Sequence, residues 1–190
     1  VDFYVDPKDT KRVSDILEAE GYEKTLADHE NHIVFKKGRA NLELHHSLPG
    51  IPSGEKGKKI SDFLNNLLYN VESKKVLNTN YLAPNDLYHG LIILLHTAHH
   101  LLNEGLGLRH LLDWGFYAER VKDNKEFNEI FLPFLKDVGL LNFAKTLTKT
   151  TEVYLGFSKK EFCQDIDNKL CEELIEDILT ILEITGIGTQ

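Results

Sequence analysis

The sequence predicts an α+β protein, a small α/β unit followed by a helical bundle. Three observations carry this expectation. Residues 1–46 mix alternating, strand-like segments with a helix-spaced one. A run of turn formers, Pro49-Gly50-Ile51-Pro52-Ser53-Gly54-Glu55-Lys56-Gly57, then interrupts the chain. Beyond it, apolar residues recur at helical spacing. The expected regions are 1–57 and 58–190.

Val1-Asp2-Phe3-Tyr4-Val5-Asp6 alternates as a strand does, with Phe3 and Val5 on one face and Asp2, Tyr4 and Asp6 on the other. Pro7 ends this strand and suits the first turn of a helix. That helix carries Val13, Ile16 and Leu17 on one side, and Gly21 closes it. His32 to Lys37 and Ala40 to His46 read as two further strands joined by a hairpin turn at Lys37-Gly38-Arg39. In the last strand Asn41, Glu43 and His45 share one face, and Leu42 and Leu44 share the other. After the break, helices are expected over Ile60–Tyr69, Pro84–Asn103, Leu108–Val121, Phe127–Val138, Leu140–Leu155 and Lys169–Ile184, with Gly139 and Gly156 as punctuation. In the tail, Ile166, Leu170, Leu174, Ile178 and Leu182 form a packing stripe that would suit a subunit interface, and 184–190 reads as a frayed end.

The 190 residues are 42% hydrophobic and 27% charged, which excludes disordered and collagen-like chains. The net charge of −8 opposes non-specific binding to nucleic acid or anionic membrane. The Lys36/Lys37/Arg39 and Lys56/Lys58/Lys59 groups read as solvated turns. The longest apolar run, Leu91 to Leu95, is far short of the ~20 residues of a membrane span. Cys163 and Cys171 lack any metal-binding spacing and read as free thiols of a cytoplasmic protein. There is no methionine at all. The chain is therefore expected to be a fragment, to be processed, or to have lost modified methionines from its written sequence. The last case would shift the spacings used below.

Asp2 and Glu43 are the first candidates for chemistry. Each points off a short strand, opposite its apolar side chains. If the strands are neighbours, the carboxylates converge and would hold a hard cation such as Mg²⁺ through oxygen. The alternative is that both face water.

The stretch Val1-Asp2-Phe3-Tyr4-Val5-Asp6, a helix leading into Glu20-Gly21-Tyr22-Glu23, and Leu42-Glu43-Leu44-His45 together resemble a bacterial nucleotidyltransferase family of the DNA polymerase β-like superfamily. Asp86, His96-Thr97-Ala98-His99-His100 and Leu108-Arg109-His110-Leu111-Leu112-Asp113 extend the likeness to about Leu155. The resemblance implies a partial nucleotidyltransferase palm followed by a helical domain. It implies Mg²⁺-dependent transfer of a nucleoside monophosphate from an NTP to an acceptor hydroxyl. In that pattern Asp2 matches the second Asp of an Asp-x-Asp strand, and Glu43 matches the third carboxylate. Both would be metal ligands and catalytic residues. The first Asp would fall just before Val1, and the Gly-containing phosphate turn and a basic residue would lie further upstream. The chain by itself is expected to be inactive. In the other register Asp2 opens the pair and Tyr4 stands at its second position.

The helix over Pro84–Asn103 has Asp86 in its first turn. It sets Leu87, Leu91, Leu94, Ala98, Leu101 and Leu102 against His89, His96, His100 and Asn103, the latter within about 60° of one another. Ile92 and Ile93 flank the histidines, so the helix is expected to be buried on both sides. Three readings of the histidines stand: zinc ligands at His96 and His100, satisfied core groups, or contacts to nucleotide and acceptor, which the likeness favours. His45 and Arg109 join the proposed substrate contacts. Arg109 would grip a phosphate or pair with Asp113 four residues on. Trp114, Phe116 and Tyr117 read as core. The functional readings are a nucleotidyltransferase acting on a small-molecule or protein acceptor, a non-catalytic relative that binds a nucleotide or a protein, and a helical metal-binding module.

Overall fold

The computed structural model describes residues 2–28, 31–103 and 105–185. Val1 and residues 186–190 lie outside them, while Ile184 and Thr185 of the expected frayed end belong to the last helix. No described helix is long and apolar enough to cross a membrane. The protein is α+β, and it divides into two compact units, Val1–Pro49 and Gly50–Gln190.

In the first unit β1 (Asp2–Tyr4) leads through a 3-10 turn (Pro7–Asp9) into α1 (Thr10–Ala19). The Asp6 carboxylate accepts the Lys8 amide at 3.1 Å and starts that turn. Gly21, at φ +83°, ends α1, and the Tyr22 amide returns to the Leu17 carbonyl. Three strands follow: β2 (Glu23–Asp28), β3 (His32–Lys37) and β4 (Ala40–His45). The strand β2 is additional to those expected, since Glu-Lys-Thr-Leu-Ala-Asp has neither an apolar alternation nor a turn signal before it. The sheet order is β1-β4-β3-β2, with β1 parallel to β4 and the other pairs antiparallel. Ile33 pairs with Leu44 and Phe35 with Leu42, and Phe3 pairs with Leu44 from the other side. Phe35 and Leu44 are fully buried and centre the apolar face. Of the α1 stripe, Val13 and Leu17 are partly covered while Ile16 is exposed.

The second unit opens with α2 (Gly54–Leu64) and a 3-10 turn (Leu67–Tyr69). The expected helix over Ile60–Tyr69 thus starts earlier, inside the turn-rich run, and breaks before Tyr69. An unexpected hairpin follows, β5 (Val71–Val76) with β6 (Thr79–Pro84). Its strands are charged and polar, so no alternation announces them. Asn85 then accepts the Tyr88 amide and caps α3 (Asp86–Asn103). Next come α4 (Leu108–Val121), a π-helical turn (Phe127–Phe131), α5 (Leu132–Val138) and α6 (Leu141–Leu155). A 3-10 turn (Glu161–Cys163) and α7 (Asn168–Thr185) complete the order. The helix expected over Phe127–Val138 is therefore composite. Pro133 has no amide to donate, and the Leu132 amide reaches back to the Phe127 carbonyl, which widens the first turn.

Leu91, Leu94 and Leu95 of α3, Leu111, Trp114 and Tyr117 of α4, and Phe127, Phe131 and Leu135 make the core. No residue of α3 before Leu102 is exposed. The indole of Trp114 donates to Thr148 Oγ1 at 2.9 Å, which ties α4 to α6 inside the core. Phe116, expected inside, is exposed. On α7 the covered stripe is Cys171, Leu174 and Ile178, and Leu170 is exposed. The Leu182 side chain lies outside the described ones. Cys163 and Cys171 are free and buried. Burial, reinforced by the Glu152 carboxylate, pushes the Cys163 thiol up to about 12.

The helices α3 and α4 approach tightly at Gly90, where a Cβ would sit 2.1 Å from the Tyr117 hydroxyl oxygen. Alanine usually stabilises a helix interior relative to glycine, by roughly 0.5–1 kcal/mol. Here the sign reverses. Gly90→Ala should destabilise by about 1–3 kcal/mol through overpacking, read as a lower thermal unfolding midpoint.

Candidate functional site

In the first unit the parallel register sets Asp2 opposite Glu43 and Tyr4 opposite His45. Cross-strand partners share a face of the sheet, so Asp2, Tyr4, Glu43 and His45 line the side away from Phe3 and Leu44. The β3–β4 hairpin adds Val34 opposite Glu43 and His32 opposite His45. His32 was not singled out in the sequence. The signal was present, because once Lys37 pairs with Ala40 around Gly38-Arg39, the register carries His32 to His45.

Glu43 Oε2 lies 3.7 Å from His32 Nε2 and 3.6 Å from His45 Nε2. The two imidazoles are 4.9 Å apart between centroids. The His45 side chain is only 10% exposed. Burial holds its pKa below the ordinary histidine value, against the opposing pull of the Asp2 and Glu43 charges. Its Nδ1 is buried with no hydrogen-bond partner among the described residues. Such an atom needs a partner. Asp6, by contrast, is engaged by Lys8 Nζ at 2.8 Å. Tyr4, the second position in the other register, has its phenol pushed above the ordinary value by burial and by Asp6.

One ligand atom each of His32, Glu43 and His45 lies within 4.8 Å of the other two, a mixed nitrogen and oxygen set. Asp2 and Glu43 offer carboxylate oxygen from adjacent strands on one face, the ligand type that Mg²⁺ prefers.

In the second unit His96 and His100 lie four apart on α3, with their Nε2 atoms 3.0 Å apart. His110, in the first turn of α4, brings its ring centroid to 4.4 Å from His100 and 5.7 Å from His96. Burial and the neighbouring His100 hold the His110 pKa below its ordinary value. Arg109, next to it, turns outward. Its side chain is 86% exposed and its Nε is 3.7 Å from Asp113 Oδ2. His89 departs from the expected stripe and accepts from Arg120 Nη2 at 2.9 Å, while Arg120 also pairs with Asp86 Oδ1 at 3.0 Å. Arg120 has no sequence signal of its own, because its partners are more than thirty residues away.

A small mixed sheet with carboxylates on one face, followed by a helical unit, is an arrangement that suits metal-dependent phosphoryl chemistry, and the class is that of the nucleotidyltransferases. The model of one such family, described as uncharacterised nucleotidyltransferase, matches residues 1–156, and the chain belongs to it. Comparison with curated proteins and with solved structures finds no match.

The His89 environment has a pH consequence. Burial first, then the Arg120 guanidinium, lowers its pKa below 6.5, while Asp86 and Asp113 pull upward and Lys74 downward. A lowered folded-state pKa means that the unfolded ring takes up a proton where the folded one does not. This contribution to stability is therefore present above 6.5 and lost as pH falls through the folded value. Thermal midpoints measured between about pH 7.5 and 5.5 should fall toward acid, and His89→Gln, which keeps an acceptor for Arg120, should flatten that slope.

Proposed function

We propose that the chain supplies carboxylates for Mg²⁺-dependent transfer of a nucleoside monophosphate from an NTP to an acceptor hydroxyl. The observation that carries this reading is the parallel register of Asp2 with Glu43, in a chain of nucleotidyltransferase family membership. When bound, the cation neutralises charge on the phosphates and orients them. Asp2 and Glu43 hold it. Glu43, at the centre of the β4 face, also accepts the proton of the acceptor hydroxyl. Nucleotidyl transfer asks for positioning and charge neutralisation more than covalent catalysis, and two side chains fixed by backbone register provide both.

His45, whose Nε2 lies 3.6 Å from Glu43 Oε2, is proposed to contact nucleotide or acceptor. The sequence also nominated His96, His100 and Arg109 for substrate contacts. The exposed Arg109 guanidinium suits an anionic group arriving from solvent, and His96 and His100 would contact the nucleotide or acceptor. The net charge of −8 favours a small-molecule or protein acceptor over a nucleic acid.

The test is transfer of label from α-labelled NTPs in the presence of Mg²⁺, using the full-length protein. Glu43→Gln and Asp2→Asn should each lower transfer at least about 100-fold, the scale of losing a charge-stabilising group, with the unfolding midpoint held near that of the parent. Label transfer that is unchanged in both variants would contradict the roles given to Asp2 and Glu43, and absence of transfer by the parent protein would favour a nucleotide-binding or protein-binding role.

A further inference from the structure

We propose that His96, His100 and His110 form a three-histidine site for a divalent transition-metal ion, with Zn²⁺ the best fit. The site takes its ligands from the second unit alone, and it replaces the direct substrate contacts given above to His96 and His100. It rests on the convergence of three imidazoles from two helices.

His96 and His100 share one face of α3 because residues four apart on a helix are neighbours. The chain then turns at Gly105 to Gly107 and returns as α4, whose first turn delivers His110. One nitrogen from each ring lies within 4.8 Å of the other two. A tetrahedral zinc with Zn–N bonds of about 2.0–2.1 Å separates its nitrogen ligands by roughly 3.3 Å. The 3.0 Å between His96 Nε2 and His100 Nε2 is close to that spacing. Two such nitrogens this close must share a proton or a cation, since facing lone pairs repel. A third imidazole at the same point favours the cation, because one metal ion accepts all three lone pairs.

The chemistry of the ligands selects the ion. Imidazole nitrogen suits Zn²⁺ and its first-row neighbours, whereas Mg²⁺ and Ca²⁺ prefer oxygen. Three protein ligands leave a fourth position for water or an anionic oxygen, the pattern of an open rather than a closed zinc site. The three rings are partly covered, neither sealed in nor fully exposed, so the ion has a path in. His110 Nδ1 accepts the Gly107 amide at 3.3 Å, a contact that coordination through Nε2 keeps and coordination through Nδ1 replaces.

The test is titration of the full chain, first stripped with a chelator, with Zn²⁺ by calorimetry and with Co²⁺ by visible absorption. One equivalent whose binding depends on His110 should appear, Co²⁺ at that site should show the intense bands of low coordination number, and Zn²⁺ should raise the unfolding midpoint. His110→Ala should weaken binding at least about tenfold, and His32→Ala, which alters the other histidine group, should leave it unchanged. Absence of stoichiometric binding overturns the proposal. So does binding that His32→Ala abolishes and His110→Ala does not. Should His110→Ala fail to fold, ring-nitrogen NMR of the parent chain decides: zinc-dependent shifts at His96, His100 and His110 support the site, and shifts confined to His32 and His45 overturn it.

Discussion

A parallel strand pair cannot be closed by a tight turn, so joining β1 to β4 requires a long crossover. Here the crossover carries α1 and the β2–β3 strands, and the arrangement of the first unit follows from it. Once Phe3 and Leu44 are paired on the buried face, the period of two in each strand sends Asp2 and Glu43 to the opposite face. A slip of one residue in β4 would bury Glu43 and expose Leu44, and a slip in β1 would turn Asp2 onto the apolar face. The hydrophobic requirement of the sheet and the proposed metal requirement of the site are thus met by one register.

The same face explains why histidines accompany the carboxylates. In the antiparallel hairpin, His45 must have a cross-strand neighbour, and the Gly38-Arg39 turn makes it His32. Glu43 consequently sits between two imidazoles at nearly equal distance. Burial keeps His45 inclined to neutrality while the two carboxylates pull the other way. A neutral ring with an unpartnered nitrogen is suited to recognising a substrate, and it adds no positive charge to compete with a cation.

Much of this was legible in the sequence, and where it was not the reasons are physical. Strands with alternating side chains, His32–Lys37 and Ala40–His45, are readable because half of each is buried. The β5–β6 hairpin was not, because Val71-Glu72-Ser73-Lys74-Lys75-Val76 has no apolar face to read, and neither did β2 have one. The helix Leu108–Val121 was fully legible from its periodicity, whereas the π-helical start at Phe127–Phe131 depends on a missing amide at Pro133. Asp2, Glu43 and His45 were visible as a polar face. Their pairing required knowing that β1 and β4 are neighbours, which the resemblance implied and alternation alone did not. His96 and His100 were readable as a helical pair, but His110 joins them only because α4 folds back on α3, a tertiary fact. Arg109, nominated for a phosphate contact, lies on the surface with its Nε 3.7 Å from Asp113 Oδ2, the i, i+4 partner that the spacing also offered.

In the proposed function one divalent cation is held between β1 and β4 by Asp2 and Glu43. The most direct measurement uses Mn²⁺ as a paramagnetic substitute and follows the broadening of backbone NMR signals. The account predicts distance-dependent broadening centred on Phe3, Tyr4, Leu44 and His45 that excess Mg²⁺ reverses and Glu43→Gln removes. Signals of β1 and β4 that stay sharp at stoichiometric Mn²⁺ would contradict it.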